Sequence, residues 1–237
     1  MWILVERGNS MMSRGGILGV LVGGLSAMLW VCGSLLGESQ YRYKLTVEVE
    51  TPNGVRSGFA VRQVNWSAGT KITPEATTSS MSHKGEAVMI HLPNGQTLFA
   101  LMSPDGQETP MLAFSSARQT WSADRLVKVL TPPHRPEVKY GESGYPRLVR
   151  FRDINVPATV EQVNPDNFVT SFGTGYRLKH VTAQIVDEPV TVTVAEKLRW
   201  LGKYPEPRLE KLPPGGTTTP TFAQQLTHGD FIQGLQK

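Results

Sequence analysis

Few side chains in this sequence could do acid–base or metal chemistry, and they are scattered. The five histidines are His83, His91, His134, His180 and His228. No two stand at His-x-x-x-His or His-Glu-x-x-His spacing, which would turn two imidazoles toward one ion from a single helix face. The one cysteine, Cys32, lies in an apolar run, so no cysteine zinc site and no intrachain disulfide is available. These spacings imply no metal and no cofactor. Asp153, in FRDIN, ends a predicted strand beside Arg150 and Arg152. A turn cap or plain ion pair is the simpler reading, because Asp readily bonds nearby backbone. The alternative is an acid/base pair of Asp153 with His180 or His134, in an exported hydrolase of unfamiliar type. His91 and His180 fall in predicted strands and read as structural, hydrogen-bonded histidines, and His134 as an exposed loop residue.

Other chemistry finds no footing. There is no Gly-x-Ser-x-Gly elbow, no Ser-x-x-Lys set, no Gly-x-x-x-x-Gly-Lys loop and no Gly-x-Gly-x-x-Gly. Gly173 and Gly175 precede a predicted strand, so no helix N-terminus stands there to hold phosphate. Asp187 and Glu188 are adjacent, and adjacent strand residues face opposite ways. Arg147, Arg150 and Arg152 are the densest cationic group; they read as a solvated strand face, with a phosphate site as the alternative. From Glu38 onward there are 22 basic and 19 acidic residues, a net +3 with no basic tract. Nucleic-acid binders concentrate such charge, so a nucleic-acid partner is not expected. The balance leans away from an enzyme.

The elements that would position these residues are mostly strands. YRYKLTVEVE (41–50) alternates with period two, TPNG (51–54) supplies a turn, and VRSGFAVRQVNW (55–66) returns, with Gly58 as a candidate bulge. Residues 67–85 read as a Ser/Thr/Gly loop. GEAVMIHL (85–92), PNG (93–95) and QTLFALM (96–102) read as a second hairpin. SPDG (103–106) turns, PMLAF (110–114) could add a strand, and 115–130 could hold a short helix. Further strands are predicted over 146–154, 176–186 and 190–194, one or two helical turns within 156–173, and a helix over 195–204. The fold class is mainly β: antiparallel hairpins, sandwich- or barrel-like, with a few short helices, preceded by one N-terminal apolar helix. Residues 40–204 form the β-rich domain, 205–220 a Pro/Gly linker, and 221–237 a C-terminal tail with a possible short amphipathic helix around Phe222, Leu226 and Phe231.

Residues 15–37 carry no charge over 23 positions, long enough to cross a bilayer, which takes about 20 residues. Residues 1–14 are a short lead whose Arg14 favours a cytoplasmic N-terminus. The run is a transmembrane anchor or a cleaved signal peptide, with Val31-Cys32-Gly33 as a tolerable cleavage pattern. Lipidation of Cys32 fits poorly, because Trp30 and Val31 precede it rather than a small residue. Gly15, Gly19, Gly23 and Ala27 recur every four residues and would line one helix face, a candidate surface for association with another helix; apolar export signals are also simply rich in Gly and Ala. Met11 and Met12 are alternative starts to Met1.

The YRYKLTVEVETPNG, LPNGQTLFAL and FRDINVPATVEQVNPDNF stretches, set behind an apolar N-terminus, resemble a family of bacterial envelope proteins to which no activity is attached. The resemblance implies an export-associated β-rich domain and no residue roles. The expected protein is a non-enzymatic envelope component that binds a protein partner or the cell wall. It sits in the inner membrane with a periplasmic domain, or is secreted to the periplasm. An exported hydrolase and a subunit of a larger membrane assembly are the alternatives.

Overall fold

Alternation of Leu45, Val47 and Val49 with Thr46, Glu48 and Glu50 makes one side of a strand apolar, and that side goes inward. The computed structural model describes residues 38–68, 79–102, 137–138, 140, 144–202 and 207–235. β1 (Glu38–Thr51) pairs antiparallel with β2 (Gly54–Ala68) along its whole length. Asn-Gly does not fill the two central turn positions, as a type I′ turn would require. Pro52 fixes a negative φ at the first, and among the described residues no non-glycine residue has a positive φ. Gly54 takes φ +96° after the turn instead, and Gly95 takes +82° after the second Pro-Asn-Gly.

β3 (Ser79–Glu86), β8 (Arg177–Ile185) and β9 (Ile232–Gln233) complete a five-stranded sheet in the order β8-β1-β2-β3-β9. β4 (Val88–His91), β5 (Thr97–Ala100), β6 (Leu148–Phe151) and β7 (Val160–Gln162) form a second sheet in chain order. All these pairings are antiparallel. Among the described residues three one-turn α-helices accompany them: α1 (Phe168–Phe172), α2 (Val194–Lys197) and α3 (Phe222–Gln225). The architecture is thus mainly antiparallel β with few short helices.

The inner face of the five-stranded sheet meets one face of the second sheet. Tyr43, Leu45, Val47, Val49, Val64, Val181 and Ala183 pack there against Val88, Ile90, Leu98, Ala100 and Leu148. The other face of the second sheet carries a separate core. Phe99, Leu101, Val149 and Phe151 lie there under Val194, Leu198, Leu201, Leu209, Leu226 and Phe231. A sheet covered on both faces needs apolar residues at successive positions, which is why TLFA is buried throughout rather than alternating.

Several elements differ from the expectations. The end of the supposed loop 67–85 is strand β3, whose SSMSHKGE has no apolar alternation; pairing to β2 satisfies its backbone and supplies the order. GEAVMIHL is not one strand. It breaks at Ala87, whose N–H bonds Phe231 O at 2.8 Å, and the chain crosses there from one sheet to the other. Gly58 is no bulge: it keeps register with Val47. A Cβ there would lie 2.2 Å from Met89 O, so glycine is required by the close passage of β4. The bulge falls in β8, where pairing skips Lys179 between Glu48↔His180 and Val49↔Leu178. That slip turns Leu178 toward the core beside Val181, out of the simple alternation. VTVTV (190–194) forms no strand. Thr191 instead bonds Val61 in both directions at 3.2 Å, occupying the β2 edge that β3 leaves free. The helix expected over 195–204 shrinks to α2, although Leu198 and Leu201 are buried as anticipated. The predicted features at 103–106, 110–114 and 115–130, and the apolar run 15–37, lie outside the described residues.

Candidate functional site

Asp153 closes a turn. Its Oδ1 accepts from Asn155 N at 2.9 Å and Asn155 Nδ2 at 3.2 Å, while its own N–H and C=O bond Thr159 Oγ1. His180 lies in the other sheet, opposite Glu48, and its Nδ1 meets Glu137 Oε1 at 2.9 Å. Both are exposed, and no hydrogen bond or ion pair joins them. His134, Cys32 and the Gly15, Gly19, Gly23 and Ala27 face lie outside the described residues. His91 Nδ1 faces Thr97 Oγ1 across the second hairpin at 3.2 Å. Partial burial, and secondarily the charge of Lys197, lowers its pKa. Among the described residues no group of three His, Cys, Asp or Glu side chains could hold a metal.

Arg150 and Arg152 both reach Glu161 on the neighbouring β7. Arg150 Nη2 lies 2.7 Å from Oε2, and Arg152 Nε 3.0 Å from Oε1. Arg150 also donates to Gln96 Oε1 at 3.0 Å and to Ser171 O, with its guanidinium 5.8 Å from the Phe172 ring centre. One carboxylate thus serves two cations, and the inner one is further tied to the β4–β5 turn and to α1. That arrangement is a brace, with little charge left over for a phosphate group.

The sequence reading overlooked three buried polar groups. Arg62 is only 1% exposed. Its Nε donates to Glu86 O at 2.9 Å, and its Nη2 to Ala100 O at 3.1 Å and Leu101 O at 3.4 Å; it also bonds the Tyr43 hydroxyl. Glu86, equally buried, accepts from Val194 N at 2.7 Å and Thr193 Oγ1 at 3.0 Å, capping α2. His228 Nδ1 accepts from Gly202 N at 2.7 Å beside Trp200, so Nδ1 is unprotonated there. The available signal was parity: Arg62 falls on the inward phase of β2 with Ala60 and Val64, opposite Tyr43. These groups tie the sheets and the C-terminal layer together.

The outer face of the five-stranded sheet is the most distinctive surface. Val55 and Phe59 of β2 point outward, and Phe59 is 51% exposed. Lys44 Nζ sits 4.7 Å from the centre of the Phe59 ring and pairs with Glu188. Cross-strand ion pairs flank this strip, Glu50–Arg177 at 2.7 Å and Glu48–Lys179 at 3.7 Å, and Glu137 Oε1 contacts His180 Nδ1 at 2.9 Å. Exposed pairs of this kind add little stability.

No known protein family, curated protein or solved structure matches the chain.

Proposed function

We propose that this chain is a non-enzymatic bacterial envelope protein whose β domain lies on the far side of a membrane and binds a protein partner or a cell-wall component. The observation that carries this reading is the uncharged run 15–37, preceded by Arg14 and continued directly by β1 at Glu38. A spanning helix ending at Gly37 would seat the sheet at the membrane surface with no spacer. The outer-face strip around Val55 and Phe59 is the surface offered to the partner.

The first test is expression in a bacterial host, separation of membrane from soluble periplasmic fractions, and intact-mass analysis of each. Full-length mass in the membrane fraction establishes an anchor. A mass starting after the apolar run, in the periplasmic fraction, establishes secretion. Recovery of the intact chain in the cytosol sinks the envelope reading. Binding is read by cosedimentation with isolated cell wall and by crosslinking in intact cells. Phe59→Asp is expected to weaken capture several-fold while leaving the unfolding transition in place.

The second reading, a subunit of a membrane assembly, rests on the four-residue spacing of Gly15, Gly19, Gly23 and Ala27. Gly19→Leu with Gly23→Leu is expected to reduce oligomer size in detergent without blocking export, and an unchanged size counts against it. The exported-hydrolase alternative draws no support from Asp153 and His180, which have separate partners, the one in the turn after β6 and the other in β8.

A further inference from the structure

The chain contains the same tripeptide twice, Pro52-Asn53-Gly54 and Pro93-Asn94-Gly95, each at a hairpin tip with its glycine at positive φ. Their asparagine side chains are held differently. Asn94 Nδ2 donates to Phe172 O at 3.0 Å, and its Oδ1 accepts from Gln96 N at 3.1 Å. The amide plane is therefore fixed between α1 and its own turn. The Asn53 amide is exposed and makes no hydrogen bond; only its backbone N–H is engaged, by Thr51 Oγ1 at 3.2 Å.

We infer that Asn53 is a site of spontaneous deamidation in the folded protein and that Asn94 is protected from it. In this reaction the Gly54 backbone nitrogen loses its proton and attacks the Asn53 side-chain carbon. A C–N bond closes a five-membered succinimide, and the side-chain nitrogen departs as ammonia. Water then opens the ring at either carbonyl, giving aspartate or isoaspartate at position 53. Glycine permits the attack because no Cβ shields its nitrogen. The step needs the side chain to swing over its own following peptide. Asn53 is free to do so, whereas Asn94 must first break two hydrogen bonds, one of them to the distant α1.

The product alters the tip of the longest hairpin. It places a new carboxylate three residues from Glu50, which pairs with Arg177. In the isoaspartyl form it also adds a methylene to the backbone beside the Thr51↔Gly54 pair. Pro52 packs tightly on this end, since a Cβ on Gly175 would lie 2.9 Å from Pro52 Cγ. Ageing would therefore disturb the β1–β8 end of the outer face while leaving the second hairpin as it was.

The test is incubation of the purified full chain at mildly alkaline pH, in buffer and in strong denaturant, followed by peptide mapping for the gain of about one mass unit at each asparagine. In buffer, conversion at Asn53 is expected to run several-fold ahead of Asn94, and in denaturant the two rates should converge. Equal rates in buffer, or a faster Asn94, would overturn the inference. So would the same ratio in both solvents, because sequence neighbours rather than structure would then set it. Absence of conversion at Asn53 in buffer, while the unfolded chain converts, would overturn it as well.

Discussion

The guanidinium of Arg62 gives its hydrogen bonds to carbonyls of Glu86, Ala100 and Leu101, three acceptors that no water reaches. An Arg62→Met variant keeps the stem and takes these hydrogen bonds away from buried acceptors. The expected loss is about 3 kcal/mol or more, read as a lower urea midpoint. Two tyrosines present the reverse case. The hydroxyls of Tyr41 and Tyr145 are buried without a hydrogen-bond partner. Burial, with a smaller contribution from Tyr43, raises the pKa of Tyr41. For Tyr145 burial again leads, followed by Tyr140, Asp166 and Glu137. A raised folded pKa means that stability is complete below the unfolded value of about 10 and is lost as pH climbs above it. Tyr145→Phe removes an unsatisfied hydroxyl, so it should stabilise the domain by about 0.5–1 kcal/mol at neutral pH. It should also reduce the loss of stability in alkali. Thermal melts at neutral and alkaline pH check both parts, and a destabilised variant at neutral pH would refute the first.

Among the elements, β2 is the most constrained, because it is paired on both sides and passes under β4. Gly58 is where the two sheets come closest, with Met89 O and Ile90 Cγ1 at 2.2 and 2.7 Å from the site of an added Cβ. The nearest atom is backbone, so no side-chain rotation relieves the clash. Gly58→Ala is expected to cost about 3 kcal/mol, whereas Gly95→Ala meets no atom within 4 Å and costs only the strain of its +82° φ. Comparing the two melts separates packing from backbone strain.

At the scale of the whole molecule, the C-terminal residues are a structural layer. Phe231 meets Phe99, Phe151 and Trp200 at ring separations of 5.7–5.9 Å, and β9 joins the five-stranded sheet through Gly85 and Glu86. Side chains from residues 222–235 roof one face of the second sheet together with Leu209 from the Pro/Gly-rich stretch. Truncation after Tyr204 would expose the apolar face of β5 and β6, where Phe99 and Val149 are fully buried. The truncated chain is expected to aggregate or to bind a hydrophobic dye without a cooperative melt. A sharp transition near that of the full chain would show that the layer is dispensable.

The sequence by itself determined the features that depend on near neighbours. The β1–β2 hairpin and most of β8 follow from period-two alternation, while the β4–β5 hairpin, the short β6 and both Pro-Asn-Gly turns follow from short apolar runs set between residues with the backbone limits of proline and glycine. Asp153 as a turn cap was legible for the same reason, since its partners lie two and six residues away. Only the tertiary structure decided the rest. SSMSHKGE became a strand because β2 had an edge to pair, and VTVTV did not because β2's edge there needed only Thr191. Gly58, Arg62, Glu86 and His228 acquired their roles from contacts 24 to 108 residues away in sequence. Local pattern sets which way a side chain points. Which other segment it meets depends on how the sheets stack, and no window of neighbouring residues contains that information.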